Sequence, residues 1–564
     1  MEDTGGTPLT RRTELLREAL DRRVAILDGP QIAMRVFLGG HRSLSQALVA
    51  TAAEAVDGTG HNNESHRRTL RGGVDSEPVG PSSITAPFDE PTLDVLFGPM
   101  EATVALRTPM PVDGDLPGVA IKSARTAHLT GRRGRDCALG YSRHQGRRRR
   151  VGLEAEDRFR HTYLLGQTGT GKSTLMANMI LQDLRRGRGV AVLDPHGNLV
   201  ESVLERMPEE RSGDVVLFDV TDVERPIPFN ILSVDADTPY EYRQQRDLVI
   251  DELHRYVHHH FSPDMVGPMF ETHLRGTLGL LMGSRPPRGR RAPNLMLLNG
   301  VYSNESLRER LVEECRGEDV LLDEFIRQVD GSPSDWSFSG MASYVTSKFN
   351  RFIYDRTLRN ILCQRDILDV ESIVDEGKVL LVNLGKGRFG DVAAGLLAGQ
   401  IVARIRRAVM RQGTGGRPFY LYADEFQLFA DAHFAEMLAE ARKFGLALTV
   451  AHQFTDQLPE EALHSVLGNV GTKIFFRVGP RDASTVAPLL HPRFDEHDVV
   501  SLPNYRSYVQ SAGSLGQLPF SLDTLPLHGE ARPQRAYELR SFSRNKYGRP
   551  RQLVEQEILD TWNA

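Results

Sequence analysis

Short apolar runs recur at Tyr163–Leu165, Val190–Leu193, Val215–Phe218, Val379–Val382, Phe419–Tyr422, Leu446–Val450 and Ile474–Val478, several joined by stretches with helical periodicity. Alternation of this kind predicts an α/β fold, a mostly parallel sheet with helices on both faces. Its ligands belong at the carboxyl ends of the strands, and polar residues collect there: Asp194 and His196, Asp424 and Glu425, His452 and Gln453. One interval breaks the alternation. Residues 233–375 read as helices only, at Tyr240–His260, Phe270–Met282, Ser306–Arg316, Val320–Val329 and Met341–Ile353, which predicts an inserted all-α domain.

This pattern divides the chain into an N-terminal domain (1–130), a core in two parts (131–232 and 376–535), the helical insertion (233–375) and a C-terminal tail with a helix (536–564). In the N-terminal part, helices are expected at Thr13–Arg23 and from Ser43, where Gln46 completes a capping-box pattern, and strands between Leu93 and Leu106. Residues 57–91, rich in Gly, Ser, Pro, Asn and charge, read as a mobile linker. The apolar stretch Val392–Ile405, interrupted by Gln400 and Arg404, is expected to be a packed helix. No run approaches the roughly 18 apolar residues of a membrane span, and no signal-peptide layout opens the chain.

At 564 residues, 40% apolar and 25% charged, the composition is that of a multidomain globular protein. The net charge of −5 gives no global basic signal, so nucleic acid would have to meet a local patch. Cys137, Cys315 and Cys363 are too few and too scattered for a disulfide framework, which points to a reducing cytoplasm. Dense positive charge from Arg132 to Arg150 reads either as a phosphate contact or as the solvated turn of a hairpin formed by Cys137–Tyr141 and Val151–Leu153. His254 and His258 stand at a spacing that can share a metal, but the local sequence offers no third ligand.

The sharpest chemical signal follows the first of these strands. Gly166, Gln167, Thr168, Gly169, Thr170, Gly171, Lys172, Ser173 and Thr174 fit the phosphate-binding loop, between an apolar strand and an amphipathic helix with Met176, Met179, Ile180 and Leu184 on one face. Such a loop turns backbone N–H groups onto phosphates, and the helix that follows adds its positive end. Lys172 is expected against the β and γ phosphates and Ser173 on Mg²⁺, which predicts a P-loop NTPase. Phe419–Phe429 supplies the complement: Asp424 for the Mg²⁺ shell and Glu425 to activate water. Gln453 suits a γ-phosphate sensor, and Arg442 suits an arginine finger, with Arg477 as the weaker second choice.

Nine segments in order, GQTGTGKST, VLDPHGNL, VLFDVTDVERPIPFNIL, KFNRFIYD, LLVNLGKGRFG, YADEFQLF, EARKFGLALTVAHQ, GNVGTKIFFRVGPRDA and LPNYRSYV, resemble the coupling-protein ATPases of type IV secretion and conjugation, within the HerA and FtsK superfamily of DNA translocases. The resemblance runs from about Arg132 to the C-terminus. It implies a RecA-like P-loop NTPase core with ATP and Mg²⁺ as cofactors, a hexameric ring motor that hydrolyses ATP to move DNA through its channel, a helical insertion that selects substrate, and an Arg442 that acts in trans. Lys386 and Arg388, ahead of Lys348 and Arg351, then become candidates for DNA contact on pore loops; a turn that only packs beside the nucleotide is the other reading of Lys386 and Arg388. The membrane-embedded members carry spanning helices that this sequence lacks. That leaves three readings: a translocase with a relaxase or secretion channel as partner, a soluble HerA-like motor serving a nuclease or effector in DNA processing or defence, and an ATP-gated assembly protein that moves no DNA.

Overall fold

The computed structural model describes residues 124–563 except 235, 237, 284–292, 318, 332–336, 431–436 and 439. Before these it describes only the two-residue strands Ile32–Ala33 and Leu96–Phe97, which pair antiparallel. The helices expected at Thr13–Arg23 and from Ser43, and the linker at 57–91, lie outside the described residues. The chain divides after Lys122 into two units, and everything below concerns the second, Ser123–Ala564.

Eleven strands form one sheet. In chain order they are β1 (Cys137–His144), β2 (Arg147–Leu153), β3 (Thr162–Leu165), β4 (Gly189–Asp194), β5 (Val215–Asp219), β6 (Val379–Asn383), β7 (Phe419–Ala423), β8 (Leu446–His452), β9 (Thr472–Phe475), β10 (Arg506–Ser511) and β11 (Phe520–Thr524). Across the sheet they run β2-β1-β11-β10-β9-β3-β8-β7-β4-β6-β5. From β9 to β5 every pairing is parallel, and from β2 to β9 every pairing is antiparallel. The parallel strands read as continuous apolar runs because both faces are covered. Side chains alternate accordingly: Leu164, Val190, Val192 and Leu217 enter one core layer, and Tyr163, Leu165, Ala191, Leu193 and Phe218 the other.

The first layer is closed by helix α1 (Lys172–Arg185) and helix α2 (Asn198–Leu204). A buried polar knot holds α1 to the sheet. The Arg158 guanidinium, 1% exposed, donates to Asp183 on α1 at 3.2 and 2.8 Å and to the Tyr422 hydroxyl on β7 at 2.7 Å. Removing one partner of such a buried pair typically costs about 3–5 kcal/mol, so the knot fixes the phosphate-loop helix against β7.

The second layer is continuous with the helices between β5 and β6, which include α3 (Pro239–His260) and α4 (Pro268–Met282), and with the long helix α5 (Lys386–Gln412). Among the described residues, helices stand where they were expected between β5 and β6, with one change. Met341–Ile353 is not one helix: Phe338–Thr346 stops, and a short helix resumes at Asn350–Tyr354. Lys348 lies at the break, its chain drawn inward so that its ammonium donates to Tyr344 O at 3.2 Å and sits 4.8 Å from the Tyr344 ring. The packed helix expected at Val392–Ile405 is longer than its apolar stretch and bends at Gly390, whose φ of 79° is outside the helical range.

Both margins of the sheet are covered in a specific way. On one side the arginine run forms β2 itself, paired with β1 from Cys137↔Leu153 to His144↔Arg147, so the hairpin reading describes the backbone there. Arg148 lies over the Tyr141 ring at 3.5 Å, and Arg149 donates to Leu129 O at 2.9 Å. On the other side the C-terminal segment forms two helices, Pro533–Tyr547 and Arg551–Asn563. The first presents the Ser543 hydroxyl to Leu217 N–H on β5 at 2.7 Å, and the second holds Arg356 through Glu555 at 2.7 and 2.8 Å.

Candidate functional site

The strands β3, β4, β6, β7 and β8 are parallel and end on one edge, which gathers their successors into one site. β3 runs into Gly166–Gly171, and α1 begins at Lys172. Gly171 has φ 118°, and a Cβ there would meet Tyr505 at 3.0 Å and Phe476 at 3.3 Å, so only glycine both makes the turn and clears its neighbours. The loop is fastened at its far side, where Tyr505 N–H donates to Thr170 O at 2.7 Å and Gln167 N–H to Arg477 O at 2.9 Å.

Lys172 folds back over this loop, its ammonium donating to Gly166 O and, at 3.1 Å, to Gln167 O. Burial lowers its pKa, against the opposing pull of Asp424 and Glu425. A phosphate chain is a stronger acceptor than those carbonyls and would draw the ammonium outward.

The next strand end but one brings in the carboxylates. Ser173 Oγ lies 3.3 Å from Asp424 Oδ2. Burial first, and then the neighbouring Asp194, raise the Asp424 pKa to about 6. Asp194 itself accepts from His196 N–H and Val200 N–H at 2.9 Å each and so ties β4 to α2. A hydroxyl converging on a carboxylate that burial and a second carboxylate disfavour fits a hard divalent cation such as Mg²⁺.

Glu425 is held in the left-handed conformation, φ 48° and ψ 49°, which aims its carboxylate across the edge instead of along β7. Three groups receive it: Lys386 Nζ at 2.8 Å, Gln453 Nε2 at 2.9 Å and His196 Nε2 at 3.3 Å. Burial pushes the Glu425 pKa up, but Lys386 and then His196 outweigh it and leave it below the usual carboxylate value. Gln453 in turn accepts from Thr168 Oγ1 at 2.8 Å. One continuous chain of hydrogen bonds thus links the phosphate loop, the end of β8 and the end of β7.

The structure therefore brings together the loop residues, Lys172, Ser173, Asp424, Glu425 and Gln453, and sends Arg442 elsewhere. Arg442 precedes β8, whose seven residues rise about 3.3 Å each, so it stands roughly 20 Å from Gln453 at the opposite edge of the sheet. Arg477 lies beside the loop, bound to Leu502 O at 3.1 Å and Asn504 Oδ1 at 2.9 Å.

Two of the four DNA candidates need correction. Lys348 is 4% exposed and packed among the Phe261, Phe270 and Tyr344 rings, which keeps its charge from any phosphate. Lys386 opens helix α5 and is not on a loop, and it pairs with Glu425 beside the phosphate loop, in keeping with the second of its two readings. Arg388 stays exposed with one bond to Thr357 Oγ1 at 3.2 Å, and Arg351 donates to Phe389 O at 3.0 Å. Sequence reading set His196 at a strand end and Lys386 beside the nucleotide as one alternative, but missed their contacts with Glu425 and the placement of Tyr505, 51% exposed, against Gly171.

A phosphate-binding loop between a parallel strand and a helix, with a carboxylate pair at the end of a nearby parallel strand, defines a P-loop NTPase of the RecA-like class. Residues 139–238 match the family described as "Helicase HerA, central domain", so this stretch, phosphate loop included, is HerA-like. Among solved structures, the plasmid coupling protein TrwB in complex with the GTP analogue GDPNP is 16% identical over 68% of this chain and 90% of its own, with a TM-score of 0.50. TrwB in complex with the ATP analogue ADPNP is 15% identical over 72% and 99%, also with a TM-score of 0.50. VirB4 of Thermoanaerobacter pseudethanolicus is 16% identical over 72% and 99%, with a TM-score of 0.49. At these identities the likeness to TrwB is one of fold. A search of curated proteins gave no match. No helix among the described residues is long and apolar enough to cross a membrane.

Proposed function

We propose that this chain is an ATP-hydrolysing DNA translocase that works as a ring, with ATP and Mg²⁺ as cofactors and the active site completed between subunits. Lys172 and the loop N–H groups would bind the phosphates, and Ser173 and Asp424 would hold the metal ion, which would supply positive charge to offset that of the phosphates. Glu425 orients and deprotonates water, and Gln453, bonded to both Glu425 and Thr168, reports the γ-phosphate to the water-activating group.

The observation that carries the reading is the position of Arg442. It stands across the sheet from its own phosphate loop, as an arginine that acts on a neighbour's site would. A guanidinium delivered in trans couples turnover to assembly, as a ring motor requires, and accounts for about 10³–10⁵ in rate where such arginines operate. A homo-hexamer is the assembly this predicts, with DNA in its channel and the exposed Arg388 and Arg351 as its phosphate contacts. The coupling-protein fold and the HerA-type stretch both support a translocase. The HerA match also favours the second reading, in which the same motor feeds DNA to a separate nuclease or effector.

The test is ATP turnover with and without DNA, together with release of streptavidin from biotinylated DNA ends. ATP-dependent release and DNA-stimulated turnover are expected. Turnover indifferent to DNA, with no release, would instead establish an ATP-gated assembly protein.

A further inference from the structure

His254 and His258 stand one turn apart on α3, with ring centroids 4.3 Å from each other. The local sequence offers them no third ligand. The fold supplies one from the next helix: Glu271, in the first turn of α4, brings Oε1 to 3.3 Å from His254 Nε2. One donor atom from each of the three residues lies within 4.8 Å of the other two.

The contact between His254 and Glu271 is unusual in kind. His254 Nε2 is shielded from solvent and makes no hydrogen bond, although a carboxylate oxygen faces it. An imidazole nitrogen and a carboxylate oxygen, each able to give a lone pair to a cation, thus face the same small volume, and an ion between them would give both a partner.

We infer that His254, His258 and Glu271 form a zinc site that clamps α3 to α4. Two imidazoles and one carboxylate are a borderline donor set that suits Zn²⁺ better than Mg²⁺ or Ca²⁺. At Zn–N of about 2.0–2.1 Å and Zn–O of about 2.0–2.2 Å, tetrahedral ligand atoms stand roughly 3.4 Å apart, so side-chain rotation alone closes the present spread. Water takes the fourth position. Nearby charge favours the ion: Arg275 contacts Glu271 Oε1 at 3.1 Å but also Asp251 at 2.5 Å, so one guanidinium is set against two carboxylates. The clamp closes the segment 261–267 that joins the two helices and fixes α3 against α4. It does not depend on the ATPase reading.

The experiment uses the full-length, tag-free protein with excess Mg²⁺ to occupy the Ser173 and Asp424 site. Zn²⁺ binding is measured by competition with a chromogenic chelator, and melting is followed with and without one equivalent of Zn²⁺. One equivalent bound at micromolar affinity or tighter is expected, with a rise in melting temperature that EDTA reverses. His258→Ala, at an exposed position, should weaken binding at least tenfold without loss of fold, Glu271→Gln should do the same, and His259→Ala should change nothing. Zinc K-edge absorption should report two imidazoles. Absence of stoichiometric binding, or binding that survives His258→Ala and Glu271→Gln, would overturn the assignment.

Discussion

Lys386 Nζ lies 2.8 Å from Glu425 Oε2, and so the first residue of helix α5 is bonded to the residue proposed to activate water. Helix α5 packs against the helical insertion, where the Tyr256 hydroxyl on α3 donates to Val392 O on α5 at 2.7 Å. Glu425→Gln should retain ATP and lower kcat at least 100-fold. Lys386→Ala should lower kcat about tenfold with ATP affinity kept, because the carboxylate loses its anchor and not its charge, and Lys386→Arg should recover part of the loss. Steady-state turnover and equilibrium nucleotide binding separate the two effects. Normal turnover in Lys386→Ala would reduce the pair to packing.

Arg442 and Lys172 make a test of trans action. Lys172→Ala should weaken nucleotide binding, and Arg442→Ala should bind nucleotide but turn over poorly. Mixed, the two variants should regain activity at interfaces that pair an intact loop with an intact arginine. The measurement is ATPase rate against mixing ratio, with DNA present and ring assembly checked by sedimentation. If rings that contain both variants stay inactive, the role passes to Arg477, which lies beside its own loop.

Tyr505 stands half-exposed against Gly171, a flat surface at the mouth of the loop. Stacking of a base on such a ring is worth about 1–3 kcal/mol. Tyr505→Ala should therefore raise KM for ATP about tenfold or more with kcat little changed, while Tyr505→Phe stays near wild type. A Tyr505→Ala enzyme with unchanged KM would place the base elsewhere.

His161 gives the fold a defined acid limit. Its Nδ1 accepts from Leu448 N–H at 3.2 Å, which leaves Nε2 to donate to Leu438 O at 2.9 Å, a pattern available only to the neutral ring. Burial, with a smaller push from Arg442, lowers its pKa to about 4, against the upward pull of Leu438 O. The unfolded chain, with its histidine near 6.5, takes up the proton first as pH falls. The stability contributed is thus complete above pH 6.5 and is lost progressively down to about pH 4, at most about 3 kcal/mol from this residue. Denaturant midpoints between pH 7 and pH 4 should fall, and less steeply in His161→Gln. Equal slopes in the two proteins would remove His161 from the account.

The parts legible in sequence are those whose chemistry is local. Gly166–Thr174 and the Asp424–Glu425 pair are short patterns at strand ends, and the buried parallel strands announce themselves as apolar runs. What escaped depends on pairings between distant segments. Lys386 reads as part of a glycine-rich turn, yet Gly385 at φ 60° caps a helix there and Phe389 buries itself in the core, which turns the lysine toward Glu425. Lys348 has a basic residue's composition and a core residue's surroundings. Glu271 follows His258 after a full change of helix, so no spacing rule joins them. Arg442 was legible as a residue type, but its distance from its own site became visible only once β8 was placed parallel to β3.

The two margins of the sheet constrain how copies can meet. On β2 consecutive arginines line the outer strand, and on β5 the Leu217 N–H is already taken by Ser543. Neither edge can accept a further strand without stacking like charges or displacing a helix, so growth by strand addition, the common route from a broad sheet to a fibre, is blocked at both ends. Through this sheet, copies would meet by helices and loops, whose contacts can be made and broken within a working cycle.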